Sequence, residues 1–311
     1  MRVIHYFSIL FLSTMLAGKA WCCACGCDVL EMGNVSMFPS GAGGLLYVDY
    51  AYQNQNTDYS GDSRAPAENN NDKKIQTQFI TLGLQYMFSA SWGIRAEIPH
   101  AFRNFSTTGG AGGSDPVSVN WNDIGDLRIE GIYSGFAPDM STGITFGFKL
   151  PSGDYSHNDA YGDVDRDTQI GTGSTDLLFG AYHVQRLTSD NLWSCFMQAH
   201  LDLPVLEQEG YWPGTEIDTA TGIQYNGLAI GKLKIKPLAQ IIGSYRTSDS
   251  GPNAANPVAS GFERVLLSPG LEFDLHPVML HAAAEFTAYD YVRGSQLVAP
   301  VFFKLGLSVA F

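Results

Sequence analysis

From Val301 onward the chain runs with a period of two. Val301, Phe303, Leu305, Leu307, Val309 and Phe311 are apolar, while the positions between them include Lys304, Gly306 and Ser308. A period of two sends alternate side chains to opposite faces of a strand, so this segment has one oily face and one wet face. In a soluble sandwich the oily face would cover a core. In a membrane barrel it would lie against lipid, turn Lys304 into the lumen and leave Phe311 at the interfacial girdle.

The same alternation recurs upstream. Leu46, Val48, Tyr50 and Tyr52 oppose Tyr47, Asp49 and Gln53; Ile80, Leu82, Leu84, Tyr86 and Phe88 oppose Thr81, Gly83 and Gln85. Comparable faces are predicted at 92–98, 127–133, 144–150, 193–203, 235–245, 265–275 and 280–286, with less regular strands at 176–187 and 219–230. With the first and last, the total is about twelve, an even number as bacterial barrels require. Long links rich in Gly, Asn, Asp and Ser (56–74, 105–122, 152–173, 205–217, 247–261) alternate with very short ones (89–91, 137–140, 188–191, 276–277). A barrel with both termini in the periplasm produces that rhythm, with short turns inside and long loops outside. The predicted fold is all-β, a transmembrane antiparallel up-and-down barrel of about 12 strands over residues 43–311, forming one domain.

Fixing the lipid face makes the other face the functional surface. The early strands give it Asp49, Arg95, Glu97, Asp126, Arg128, Glu130 and Lys149. The later ones add Asp202, Lys234, Lys236, Arg246, Arg264, Glu272, Asp274, Glu285 and Lys304. A Lys or Arg at the bilayer midplane costs roughly 2–4 kcal/mol, so the phase of these charges is itself an argument for a lumen. Their balanced signs suit a water-filled path for small polar solutes, or an interior closed by salt bridges. Twelve strands enclose far less space than a sixteen-stranded porin.

Composition narrows the class. Outside the N-terminus no run of eighteen apolar residues occurs in the 311, so helical spans are excluded. A net charge of −13 argues against nucleic acid as a partner. At the start, Arg2, an apolar run from Val3 to Leu16 and Ala17-Gly18-Lys19-Ala20 predict a signal peptide over 1–20, cleaved after Ala20. A periplasmic tail, 21–42, would follow.

A family resemblance rests on short motifs. Phe148-Lys149-Leu150-Pro151-Ser152-Gly153-Asp154 and Gly171-Thr172-Gly173-Ser174-Thr175-Asp176-Leu177 resemble the outer-membrane transporter-like proteins of the "meta-pathway of phenol degradation" family. Asn122-Asp123-Ile124-Gly125-Asp126-Leu127 repeats the strand-opening pattern. The resemblance implies an outer-membrane channel whose cargo is often taken to be aromatic or otherwise hydrophobic. The final strand is similar to those of outer-membrane barrels at large, which implies Phe311 as the signal read by the barrel assembly machinery, in a setting of outer-membrane lipid and lipopolysaccharide.

Candidate chemistry is sparse. Cys22, Cys23, Cys25 and Cys27 lie within six residues, near Met32 and Met37, a soft ligand set suited to Cu(I); local disulfides are the alternative. No other cofactor is expected. Asp163-Val164-Asp165-Arg166-Asp167 begins like a calcium loop but lacks Gly at the sixth position and Glu at the twelfth, so a solvated acidic loop is expected. No Gly-x-Ser-x-Gly occurs, and no catalytic residues are assigned; an enzyme is not expected. Two functions remain: a channel for small solutes, and a structural or binding barrel acting through its outer loops and cysteine-rich tail.

Overall fold

The computed structural model describes residues 38–39, 41–109, 114–160 and 162–311. The expected signal peptide, Cys22, Cys23, Cys25 and Cys27, Met32 and Met37 lie outside the described residues. Sixteen strands are present among those described: β1 Gly43–Gln55, β2 Thr57–Gly61, β3 Ser63–Arg64, β4 Lys74–Met87, β5 Trp92–Gly109, β6 Asp115–Ile124, β7 Leu127–Tyr133 and β8 Thr142–Leu150, then β9 Ser174–Arg186, β10 Trp193–Glu207, β11 Glu216–Tyr225, β12 Leu228–Ile230, β13 Leu233–Arg246, β14 Phe262–Leu275, β15 Val278–Val298 and β16 Val301–Ala310. Setting aside the short or external β2, β3, β6 and β12, twelve strands pair antiparallel in chain order. β1 then closes on β16 from Leu45↔Ala310 to Gln53↔Phe302. Every backbone group of a spanning sheet needs a partner, and closure supplies the two strands that would otherwise be edges.

The predicted faces take the sides expected of them. Leu46 and Val48, Ile80, Leu82 and Leu84, and Phe303, Leu305 and Leu307 stand exposed on the outer surface of the wall, although all are large and apolar. Their neighbours Tyr47, Thr81, Gln85 and Ser308 are buried inside. An apolar exterior around a polar interior inverts the soluble pattern and is that of a barrel in lipid. The chain is thus an outer-membrane β-barrel.

The links 88–91, 134–141, 187–192 and 276–277 fall on one rim, with the start of β1 and the end of β16. Aromatic rings collect there: Trp92 against Tyr133, Tyr133 against Phe136, Trp193 against Tyr225, and Tyr86 against both Phe88 and Phe311. Aromatic side chains of this kind favour the headgroup level, so Phe311 sits in a girdle.

Two stretches depart from expectation on the opposite rim. The predicted loop 105–122 is largely strand: β5 rises past the wall and pairs with β6 from His100↔Ile124 to Gly109↔Asp115. Phe105, Val117 and Trp121 bury one face of this hairpin, while Ser, Thr and Asn on the other read as loop. β15 likewise overruns its predicted end at Phe286 and reaches Val298; it pairs with β2 on both sides of a bend at Gly294, where φ is +67°.

Candidate functional site

Inside the wall, small residues make room for large ones. A Cβ at Gly83, Gly143 or Gly222 would run into the rings of Tyr47, Tyr182 and Phe196 respectively, so each of these inward aromatics lies flat over a glycine of the next strand. The space left carries charge in discrete clusters.

The first joins β5, β7 and β10. Arg95 donates to Glu130 from Nε at 3.1 Å and through Nη2, and its Nε lies 3.4 Å from Glu97. Glu130 also accepts from Thr145 Oγ1 at 2.7 Å and has His200 Nε2 at 3.6 Å; Tyr47 donates its hydroxyl to Glu97. The second joins β7 to β10: Lys149 Nζ sits 2.5 Å from Asp176 and 2.9 Å from Asp202, with Arg128 3.9 Å from Asp202. On the other side Lys236 bridges Glu272 and, at 3.1 Å, Asp274, and Lys304 meets Glu285 at 3.1 Å. Asp49 lies within electrostatic reach of Glu97 and Lys304, and Lys234 pairs in register with Asp274 near the inner rim. Arg264 with Asp290 and Arg246 with Asp249, both at 2.9 Å, occupy the outer end.

Asp126 has a different occupation. It precedes β7, and its carboxylate accepts from Gly153 N at 3.0 Å, Thr172 N at 2.8 Å and Thr172 Oγ1 at 2.6 Å, tying down both ends of the 151–173 loop. Gly153 and Gly171 meet there backbone to backbone, where a Cβ on either would strike the other. The motif residues quoted above thus converge on one clamp.

That loop fills the outer mouth. Val164 and Ile170 pack into a buried cluster with Ile75, Phe79, Ala101, Phe105, Trp121 and Leu297. His157 stacks on Trp121 with centroids 4.7 Å apart and planes 7° off parallel. Buried Arg103 donates from Nε to Thr77 Oγ1 at 3.1 Å and from Nη1 to the carbonyls of Thr168 and Gln169, the latter at 3.0 Å. Arg166 lies between the rings of Tyr155 and Tyr211, at 4.5 and 5.0 Å. The expected solvated acidic loop is only partly so: Asp163 is exposed but Asp167 is buried. Burial also moves two acids here, lifting Asp72 well above the carboxylate range and Asp165 to about 6, the latter helped by the charge of Asp159.

The inner end carries Phe38, which stacks on Tyr182 with centroids 4.8 Å apart and planes 8° off parallel and tilts against Phe196 at 6.5 Å. Sequence reasoning had no handle on Phe38, Val164 or Ile170. Asp176 was hidden in a strand whose faces are mixed.

No protein-family model matches the chain, and no curated protein matches it. Solved structures do. An outer membrane channel from Pseudomonas putida F1 superposes with a TM-score of 0.64 at 12% identity, covering 91% of this chain and 100% of that one. The β domain of the Bordetella autotransporter BrkA does so with a TM-score of 0.53 at 13% identity, covering 86% and 100%. Both likenesses concern the fold.

Proposed function

We propose that the barrel passes small solutes across the outer membrane through its charged interior. The observation that carries this reading is the Arg95, Glu97, Glu130 and His200 cluster, which places buried charge of both signs inside a wall otherwise facing lipid. Ionic groups cost heavily when withdrawn from water, and a barrel serving only as scaffold would be more stable with an apolar filling. Mixed signs on opposite walls suit small polar or zwitterionic solutes. The strand-end motifs of the clamp support kinship with the "meta-pathway of phenol degradation" proteins, and the superposed Pseudomonas putida protein is a channel. Purified protein in planar bilayers is the test: discrete conductance steps that change with Arg95→Ala or Glu130→Ala support the route. Complete silence, with and without the 151–173 loop, overturns it.

A second reading is binding through the tail. Phe38 is moored on Tyr182 and Phe196 at the inner mouth. A tail carrying Cys22, Cys23, Cys25 and Cys27 suits capture of Cu(I) by soft ligands. Titration of the reduced protein with Cu(I), against a variant with these four cysteines changed to serine, tests it; equal uptake by the two removes copper.

A further inference from the structure

The lipid face of the wall is notched between β13 and β16. The notch, with a volume of about 620 Å³, opens outward where Pro237, Pro269, Ala282 and Ala284 stand among the larger, exposed Leu271, Phe303 and Leu305. The backbone ladder breaks at the same place. β14 and β15 pair as far as Leu267↔Phe286 and resume at Gly270↔Ala283, so Ser268 and Pro269 have no partner in β15. The pattern of the sheet identifies the group left over. Thr287 N donates to Pro300 O, and Ala310 N to Pro277 O, which gives the odd-numbered residues of this part of β15 to β16 and the even-numbered ones to β14. Ala284 and Pro269 are therefore opposite members of a hydrogen-bonded pair, and Pro269 has no N–H to give. The Ala284 carbonyl loses its ladder donor at mid-wall, halfway along β14. On the inner face Ser268 accepts from Gln240 at 3.1 Å and Glu285 meets Lys304 at 3.1 Å, while the buried Leu238 and Ala283 form the floor of the notch. Its open side is the lipid side.

We propose that this notch binds a small apolar molecule carrying a single hydroxyl group, taken up from the bilayer, with the hydroxyl donating to the Ala284 carbonyl. The site lies on the outer face of the wall and stands whether or not the interior conducts. A backbone acceptor facing hydrocarbon is costly without a donor. The ladder cannot supply one past Pro269, and lipid tails fill space without supplying one. A medium-chain alcohol does both, setting an apolar body against Leu271, Phe303 and Leu305 and one O–H on the carbonyl. An alkane would leave the carbonyl unpaired, and a polyol would strand its further hydroxyls among apolar side chains. The volume falls within the range of small-molecule sites, about 300–1,000 Å³.

Photolabelling of the full chain in phosphatidylcholine vesicles tests this, because those lipid tails carry no hydroxyl. The probes are a diazirine-bearing octanol and its methyl ether, which share a body and differ in the donor. Mass spectrometry should find the alcohol on β14 and β15 around Pro269 and Ala284 about tenfold more often than the ether, the upper end for one net hydrogen bond. Excess 1-octanol should remove that labelling, and octane should do so about tenfold less well. Pro269→Ala returns an N–H to the Ala284 carbonyl, so labelling by the alcohol should fall to that of the ether while the ether is unchanged. Ala284→Phe fills the notch and should lower both. If Pro269→Ala disturbs assembly, the competition between octanol and octane in the wild type decides alone. Equal labelling by alcohol and ether in the wild type overturns the proposal and leaves the notch to lipid tails. A preference for the alcohol that survives in folded Pro269→Ala overturns it as well.

Discussion

The ring of Phe311 lies over Gly44 of the neighbouring strand, where a Cβ would meet its outer edge. The backbones of the same two residues exchange hydrogen bonds, Gly44 N to Phe311 O at 2.7 Å and Phe311 N to Gly44 O at 2.9 Å. The last side chain therefore caps the seam at which the first and last strands close the barrel. Gly44→Ala should be mild, because the atoms in the way are the far end of a side chain that can turn. Gly44→Leu should displace the ring, and Phe311→Asp should remove it and put charge in the aromatic girdle. The folded fraction in the outer membrane, read as heat-modifiable migration on gels, should fall in the order wild type, Gly44→Ala, Gly44→Leu, Phe311→Asp.

The wall offers a sharper test of which face meets lipid. Leu82 and Thr81 are neighbours on β4, one exposed outside and the other buried inside. Leu82→Arg should cost about 2–4 kcal/mol in urea unfolding from lipid vesicles, the scale for a basic side chain placed in the hydrocarbon. Thr81→Lys adds charge to the interior instead and should cost less. An equal loss for both would contradict the assignment of faces.

How much of this was legible in the sequence depends on what surrounds each segment. Wall strands are bounded by lipid on one side and a wet interior on the other, so solvent imposes a strict period of two. Most of the twelve strands could therefore be read from runs such as Ile80, Leu82 and Leu84 or Phe303, Leu305 and Leu307, while 176–187 and 219–230 alternate less regularly. Outside the bilayer that constraint lapses. The β5–β6 hairpin buries Phe105, Val117 and Trp121 among Ser, Thr and Asn, which resemble a loop. Val164 and Ile170 are isolated apolar residues in an acidic, Gly-rich stretch, and only the folded loop shows what they seal. Asp126 looked like one more inward charge because it precedes an alternating strand by one residue, yet the turn directs it to the backbone of Gly153 and Thr172.

Gly147 is a position where no adjustment is available. A Cβ there would strike the carbonyl oxygen of Ile129 on the adjacent strand, which is backbone and cannot rotate away. Gly147→Ala should part β7 from β8 and abolish the heat-modifiable folded band. At Gly131 the nearest obstacle is the end of the Phe146 ring, at 3.0 Å, and Gly131→Ala should fold.

Glu130 offers the closest test of how the interior charges are balanced. Its carboxylate is buried and accepts from Arg95 and Thr145 with His200 alongside, whereas Arg95 keeps 19% of its side-chain surface. Removing the buried partner takes one carboxylate from the guanidinium, which still has Glu97 at 3.4 Å, and breaking such a pair costs about 3–5 kcal/mol when both members are fully buried. The partial exposure of Arg95 lets water recover some of that, so Glu130→Ala should fall at or below the lower end. Arg95→Ala leaves Glu130 with the Thr145 hydroxyl as donor and the His200 imidazole beside it. The single losses should therefore be unequal, with Glu130→Ala the larger. Arg95→Ala/Glu130→Ala should be less damaging than the sum of the two, giving a coupling of about 1–3 kcal/mol. Strict additivity in urea unfolding would mean that the pair at the centre of the barrel contributes nothing to holding it together.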